Sequence, residues 1–182
     1  MAQLYVFSGL PGVGKTTIAR LLALDTRAVY LRVDTIESAL VQAGIPRDEI
    51  NAKGYTVSSA VALDNLKLGN SVIADMVNPI GITRTAWQQV AESARADLLN
   101  IQVVCTDPVE HRRRVEERRT ENFGHEYSRL EYPSWDDVSS RDYEEWLEPV
   151  LRIDTSVVTP AEALILIKTE IGRTNARGGP NP

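Results

Sequence analysis

Gly9-Leu10-Pro11-Gly12-Val13-Gly14-Lys15-Thr16 is the stretch on which the reading of this chain turns. It fits G-x-x-x-x-G-K-[ST], a loop built to wrap a phosphate chain. Ahead of it, Leu4-Tyr5-Val6-Phe7 reads as a buried strand. Behind it, Ile18, Leu21 and Leu22 recur at i, i+3 and i+4, as on a helix packed against a sheet. The glycines serve where a Cβ would block the anion or where φ must be positive. The loop amides and the helix N-terminus then point at the phosphates, so Gly9, Pro11, Gly12, Val13, Gly14, Lys15, Thr16 and Thr17 are the candidate nucleotide-binding residues. Lys15 is expected to reach the β- and γ-phosphates, and the Thr16 hydroxyl to ligate Mg2+.

Outward from the loop, strands and helices alternate. Further strands are expected at 29–33, 71–74, 101–105 and 151–154, and helices at 15–24, 52–68, 84–96 and 109–119. Ile36, Ala39 and Leu40 place one face of another helix, which stops near Gly44 with Pro46 just beyond. Thr159-Pro160-Ala161-Glu162 is a capping box with proline at the first helical position, and it opens the last helix. Five strands separated by helices predict an α/β fold with a mostly parallel sheet covered on both faces. In such sheets ligands bind beyond the carboxyl ends of the strands.

A chain of 182 residues, with no linker that would divide it, suggests one domain. It covers residues 1–172, while the polar, Gly- and Pro-rich stretch 173–182 reads as a disordered tail. No apolar run approaches the roughly 20 residues of a membrane span. No signal-peptide pattern is visible, and the expected compartment is cytoplasmic. The single cysteine, Cys105, ends an apolar run and reads as a buried thiol. A formal charge of −5 gives no hint of a nucleic-acid surface.

Two acids stand directly after expected strands. Asp75 reads as a carboxylate serving Mg2+ or the acceptor, or else as a cap for the following turn. Asp34 reads as a general base toward an acceptor hydroxyl, or as the N-cap of the helix it precedes.

These residues carry a resemblance. Gly9 to Thr17, Leu31-Arg32-Val33-Asp34-Thr35-Ile36-Glu37 and Val72-Ile73-Ala74-Asp75 resemble the small P-loop kinases. The likeness is to the ATP-binding group that includes zeta-toxin-like kinases, polynucleotide 5′-hydroxyl kinases, gluconate kinases and chloramphenicol phosphotransferases. It runs to about Gly172. It implies a three-layer P-loop NTPase fold with strand order 2-3-1-4-5, Asp34 as base, and Asp75 near Mg2+ or the acceptor. It also implies an Arg-rich lid over about 108–133, in which Arg114 and Arg118 would neutralise charge on the transferring phosphoryl group. At least one of Arg114, Arg118 and Arg119 is expected to touch phosphate, although exposed Glu–Arg pairing is the plainer reading of such a helix. Asp154 falls where related kinases approach the adenine.

The acceptor pocket is expected between the loops after strands two and three. Glu37, Tyr55, Asn78 and Arg84 are its polar candidates, with Met76-Val77-Asn78-Pro79 as one wall. Trp135, Tyr143 and Trp146 are expected to anchor packing. His111 and His125 read as surface residues. The leading function is transfer of the γ-phosphoryl group of ATP to a hydroxyl of a small molecule, by a monomer or homodimer. The alternatives are a polynucleotide or nucleoside kinase, and a nucleotide-sensing NTPase with no acceptor. Fold and donor site do not name the acceptor.

Overall fold

The structure, a computed structural model, describes residues 1–121 and 132–177. Residues 122–131 of the expected lid, His125 among them, and 178–182 of the expected tail lie outside the described residues. One sheet contains β1 (Gln3–Ser8), β2 (Val29–Arg32), β3 (Val72–Asp75), β4 (Asp97–Val104) and β5 (Leu151–Asp154). The helices are α1 (Lys15–Thr26), α2 (Val33–Gln42), α3 (Lys53–Lys67), α4 (Gly81–Ala94), α5 (Pro108–Glu121), α6 (Trp135–Ser139) and α7 (Pro160–Arg177). The strand order is β2-β3-β1-β4-β5, and each neighbouring pair is parallel. The order is the one the resemblance implies, and the sheet is parallel throughout.

Both faces of the sheet are covered, which is why its strands read as continuous apolar runs. Strand alternation divides β1 between two cores. Tyr5 and Phe7 face α1 and α7, where they meet Ile18, Leu22, Ala163 and Ile167. Leu4 and Val6 face α3 and α4, where they meet Ala62, Leu66, Trp87 and Val90. The helices that cover the sheet bury a stripe at helical spacing, as Ile18, Ala19 and Leu22 do on α1 and Trp87, Val90 and Ala91 on α4. A parallel sheet sends all its carboxyl ends one way, so the phosphate loop, the start of α2, the loop after β3 and the loop after β5 converge there.

Some boundaries differ from the sequence reading. β4 starts at Asp97, because Gln3 pairs with it and Gln3 Nε2 donates to Asp97 Oδ2 at 2.8 Å. α2 starts at Val33, so Asp34 sits inside its first turn and Arg32 occupies the N-cap position. Ala39 on that helix is exposed, and its buried residues are Val33 and Ser38. α7 continues through Arg177, past the boundary expected at Gly172. Cys105 is only half-buried. The capping box expected at Thr159–Glu162 forms, and a second one is present at Ser134–Asp137. Among the described residues no helix is long and apolar enough to cross a membrane.

Candidate active site

The phosphate loop leaves β1 and enters α1 through Gly14, at φ 92°. α1 has no side-chain cap and no acid in its first turn, so its first amides are open to an anion. Gly12 has φ +84°, and a Cβ there would strike Val115 of α5. Gly9 has a different duty. Its amide donates to the Val77 carbonyl at 3.0 Å, and a Cβ would collide with the Val103 carbonyl, so it joins strands and leaves phosphate to the later amides. The Val13 side chain is in the core, and its carbonyl accepts from Thr155 Oγ1 at 2.9 Å.

Lys15 is buried and donates from Nζ to the Leu10 carbonyl at 2.8 Å. Burial brings its ammonium down to about 8, against the pull of Asp75 and Asp34 and with the push of Arg118 and Arg32. Both expected acids and one expected arginine, Arg118, therefore act on this amine, together with Arg32, which the sequence reading did not select. Thr16 Oγ1 donates to Asp75 Oδ2 at 2.8 Å, and the Tyr30 hydroxyl donates to the same oxygen at 2.7 Å. Burial, with Asp75 beside it, raises the Tyr30 phenol above its ordinary value. Sequence reasoning did not select Tyr30, which lies 45 residues from its partner with no motif linking them.

The Thr16–Asp75 contact suits a divalent cation. With its proton given to Asp75, the Thr16 hydroxyl keeps lone pairs for a metal, and Asp75 can hold metal-bound water. Among the described residues no group of three or more His, Cys, Asp or Glu side chains could cage a metal. Thr16 and Asp75 could together hold Mg2+ beside a bound phosphate chain, since that ion keeps waters and takes few protein ligands.

A cleft of about 290 Å³ adjoins the loop. Gly12, Gly14, Thr17 and Ile18 form its floor, Arg114, Glu117 and Arg118 one wall, and Thr155, Val158 and Pro160 the other. Arg114 reaches across it, with Nη1 donating to Thr155 Oγ1 at 2.8 Å and Nη2 to the Thr155 carbonyl at 3.1 Å. Arg118 lies over Tyr132 at 5.9 Å. Arg112 and Arg113 form the exposed pairs with Glu116, Glu110 and Glu117 that the plainer reading describes. Arg119 is exposed and is felt by Asp137 of α6. Asp154 is placed differently from expectation. Its carboxylate is taken up by the amides and hydroxyls of Thr106 and Ser156, and Thr155 lines the cleft in its stead.

His111 also departs from expectation, since it is buried. Its Nε2–H donates to the Pro11 carbonyl at 2.8 Å, a carbonyl being only an acceptor, and its ring meets Trp135 edge-on at 5.1 Å. The charged neighbours of His111 in sequence hide this inward position.

On the acceptor side, Asp34 Oδ2 accepts from Arg32 Nη2 at 2.8 Å. Glu37 lies one turn further along α2, against Gly54 of α3. Burial and the nearby Asp34 charge push its carboxyl up to about 7, with Arg141 pulling the other way. The Tyr55 hydroxyl accepts from the Asn78 amide at 3.1 Å, and burial pushes its phenol up to about 12. Asn78 is fully buried and donates to Ser8 Oγ at 3.0 Å. Arg84 is not presented to an acceptor. Its guanidinium donates to the carbonyls of Asn78, Pro79, Glu144 and Glu145 and stacks on Trp146 at 4.2 Å and Tyr143 at 5.3 Å. The aromatics anchor packing as expected, and Arg84 is what they anchor.

The profile of the AAA domain family matches residues 4–141. No curated protein sequence matches the chain significantly. Solved structures with the same fold include a sugar kinase from Janibacter sp. HTCC2649, at 19% identity and TM-score 0.65 over 94% of this chain and 95% of that one. A gluconokinase from Sinorhizobium meliloti 1021 aligns at 15% identity and TM-score 0.63, over 94% and 93%. Chaetomium thermophilum Kti12, solved with ADP-AlF3, aligns at 24% identity and TM-score 0.67, over 91% and 97%. With three quarters of its length matched and its sheet order shared, the chain belongs to the AAA domain family and has the fold of the small P-loop kinases.

Proposed function

We propose that this protein transfers the γ-phosphoryl group of ATP to a hydroxyl of a small molecule. The observation that carries the reading is the surround of Lys15. Asp75, from the tip of β3, and Asp34, from the first turn of α2, both act on its ammonium from the acceptor side of the loop. Lys15 would exchange the Leu10 carbonyl for phosphate oxygens. Asp34 would accept the proton of the acceptor hydroxyl as its oxygen bonds to phosphorus and the bond from phosphorus to the bridging oxygen breaks, releasing ADP. Arg114 and Arg118, on the cleft wall, would meet the charge that develops on the phosphoryl oxygens. Thr16 and Asp75 would hold Mg2+, which would supply charge neutralisation on the phosphate chain.

Two cations on the acceptor side are already engaged by acids: Arg32 is bonded to Asp34, and the charge of Arg141 acts on Glu37. That balance supports a small acceptor over an anionic strand. The test is an acceptor screen coupled to ADP release, with Asp34→Asn beside the wild type. Turnover should fall on the order of 10²–10⁴-fold with ATP affinity retained. ATP hydrolysis indifferent to every acceptor and to Asp34→Asn would favour an NTPase module instead.

A further inference from the structure

Among the described residues, Arg32 is the charged side chain that buries a donor with no acceptor, its Nε–H. The side chain is only 17% exposed, and Nη2 donates to Asp34 Oδ2 at 2.8 Å. Tyr132 accepts from the same guanidinium. Nε and Nη2 form one edge of the planar fork, the edge suited to two oxygens side by side. Asp34 fills half of it. Arg32 ends β2 directly across from Asp75 of β3. Side chains alternate along a strand, so Arg32 leaves the sheet on the face of Tyr30, whose hydroxyl reaches Asp75 Oδ2. Asp75 also takes the Thr16 hydroxyl of the phosphate loop, and turns to these two partners instead of to Arg32 Nε. The charge of Arg32 is felt by both Lys15 and Tyr30. The half-filled edge therefore lies at the phosphate end of the sheet. A buried guanidinium N–H with no acceptor is unfavourable, and its strongest partner is an oxyanion.

We infer that Arg32 is a further catalytic residue, which holds Asp34 through Nη2 and turns the unfilled half of the same edge to an oxygen of the γ-phosphoryl group. This rests on the phosphotransferase reading above. One rigid plane then sets the base beside the group it acts with, so that an alcohol enters between Asp34 and phosphorus. The transfer balances as before. The alcohol oxygen bonds to phosphorus as the bond to the bridging oxygen breaks, ADP leaves, the proton passes to Asp34, and the guanidinium keeps its own protons. Arg114 and Arg118 approach from α5, whereas Arg32 comes from β2 and ties the phosphoryl group to the base.

ADP lacks the γ-phosphoryl group, so the experiment compares it with AMPPNP, each bound to the full chain with Mg2+ and followed by calorimetry. Arg32→Gln should weaken AMPPNP about 10–100-fold, the loss of one charged hydrogen bond, with ADP affinity nearly unchanged. Arg32→Lys should recover only part of the loss, since an ammonium does not span two oxygens as the fork does. Removing Arg32 also bares the Asp34 charge to the phosphates, so Asp34→Asn supplies the second arm. Arg32→Gln added to Asp34→Asn should still weaken AMPPNP relative to ADP. Loss of the effect in that background overturns the inference, because Arg32 then only neutralises Asp34. An unchanged ratio of AMPPNP to ADP affinity in Arg32→Gln, with transfer to an acceptor retained, overturns the inference and leaves the phosphotransferase standing. A ratio that falls as expected, with no transfer to any acceptor by the wild type, keeps the Arg32 contact and overturns the phosphotransferase. A melting curve and ADP affinity matching the wild type exclude misfolding, and where Arg32→Gln fails either check the comparison is read from Arg32→Lys.

Discussion

Asp75 takes hydrogen bonds from Thr16 and Tyr30 on a single oxygen, so its orientation is set by two elements at once. Tyr30→Phe removes one of these holds while leaving the ring in the core. Outer partners of metal-holding groups typically matter about 10–100-fold in metal affinity. The Mg2+ dependence of ADP binding, measured by calorimetry, should weaken by about tenfold in Tyr30→Phe. An unchanged dependence would separate Tyr30 from the metal. Glu37 gives a second residue-scale prediction. Its folded value, about 7, lies above the ordinary 4.5, so the folded state holds the proton more tightly. Its contribution is therefore fully favourable below pH 4.5 and is lost as pH rises through about 7. Glu37→Gln should flatten that fall, so that its melting temperature gains on the wild type at pH 8 and not at pH 4. Equal differences at both pH values would contradict the raised proton affinity. Lys15, Thr16, Asp34 and Asp75 were legible because a contiguous motif and strand ends mark them. Tyr30 and His111 were not, because what distinguishes each is a partner far away in sequence. Arg84 and Asp154 look like site residues by position, yet backbone and hydroxyl partners from segments that sequence does not bring together consume their polar groups.

At the scale of elements, α5 is more than a carrier of arginines. Val115 packs beneath Gly12, His111 holds the Pro11 carbonyl, and Arg114 reaches the loop after β5. The helix therefore braces the phosphate loop from one side and joins it to Trp135 of α6. His111→Ala removes a buried donor and a ring from this joint, a loss in the usual range of about 1–3 kcal/mol. It should lower the melting temperature and weaken ADP binding together, as read by calorimetry on the same sample. Lower stability with undisturbed ADP affinity would mean that the brace does not reach the nucleotide. The charged stretch behind Pro108, a residue suited to a first helical turn, revealed that α5 exists. Its inward face was hidden, because arginines and glutamates outnumber the two residues, His111 and Val115, that dock it.

For the whole molecule, the sheet order puts β1 in the middle, with β3 on one side and β4 on the other. The chain thus turns outward in both directions from the strand that carries the phosphate loop, which opens the crevice where ligands settle. Residues as distant as Lys15 and Thr155 meet there because parallel strands end together. Alternation of strands and helices was enough to read the class of fold. The order was not in the spacing and came through the resemblance, since parallel crossovers of similar length permit several orders. Nothing local marks the proposed acceptor pocket either. Its candidate residues come from α2, α3 and the segment after α6, and only their packing brings Glu37, Tyr55 and Arg141 within range of one another. The central claim is that one cradle holds the triphosphate while two acids face its outer end. The most direct measurement is a crystal structure with Mg2+ and a non-hydrolysable ATP analogue. The account predicts the γ-phosphate on Lys15 Nζ, freed from the Leu10 carbonyl, with Thr16 and Asp75 at the metal and Asp34 across a gap that admits an alcohol oxygen. A triphosphate bound with its γ-phosphate away from Lys15, or with Asp34 turned from it and the gap filled, would contradict it.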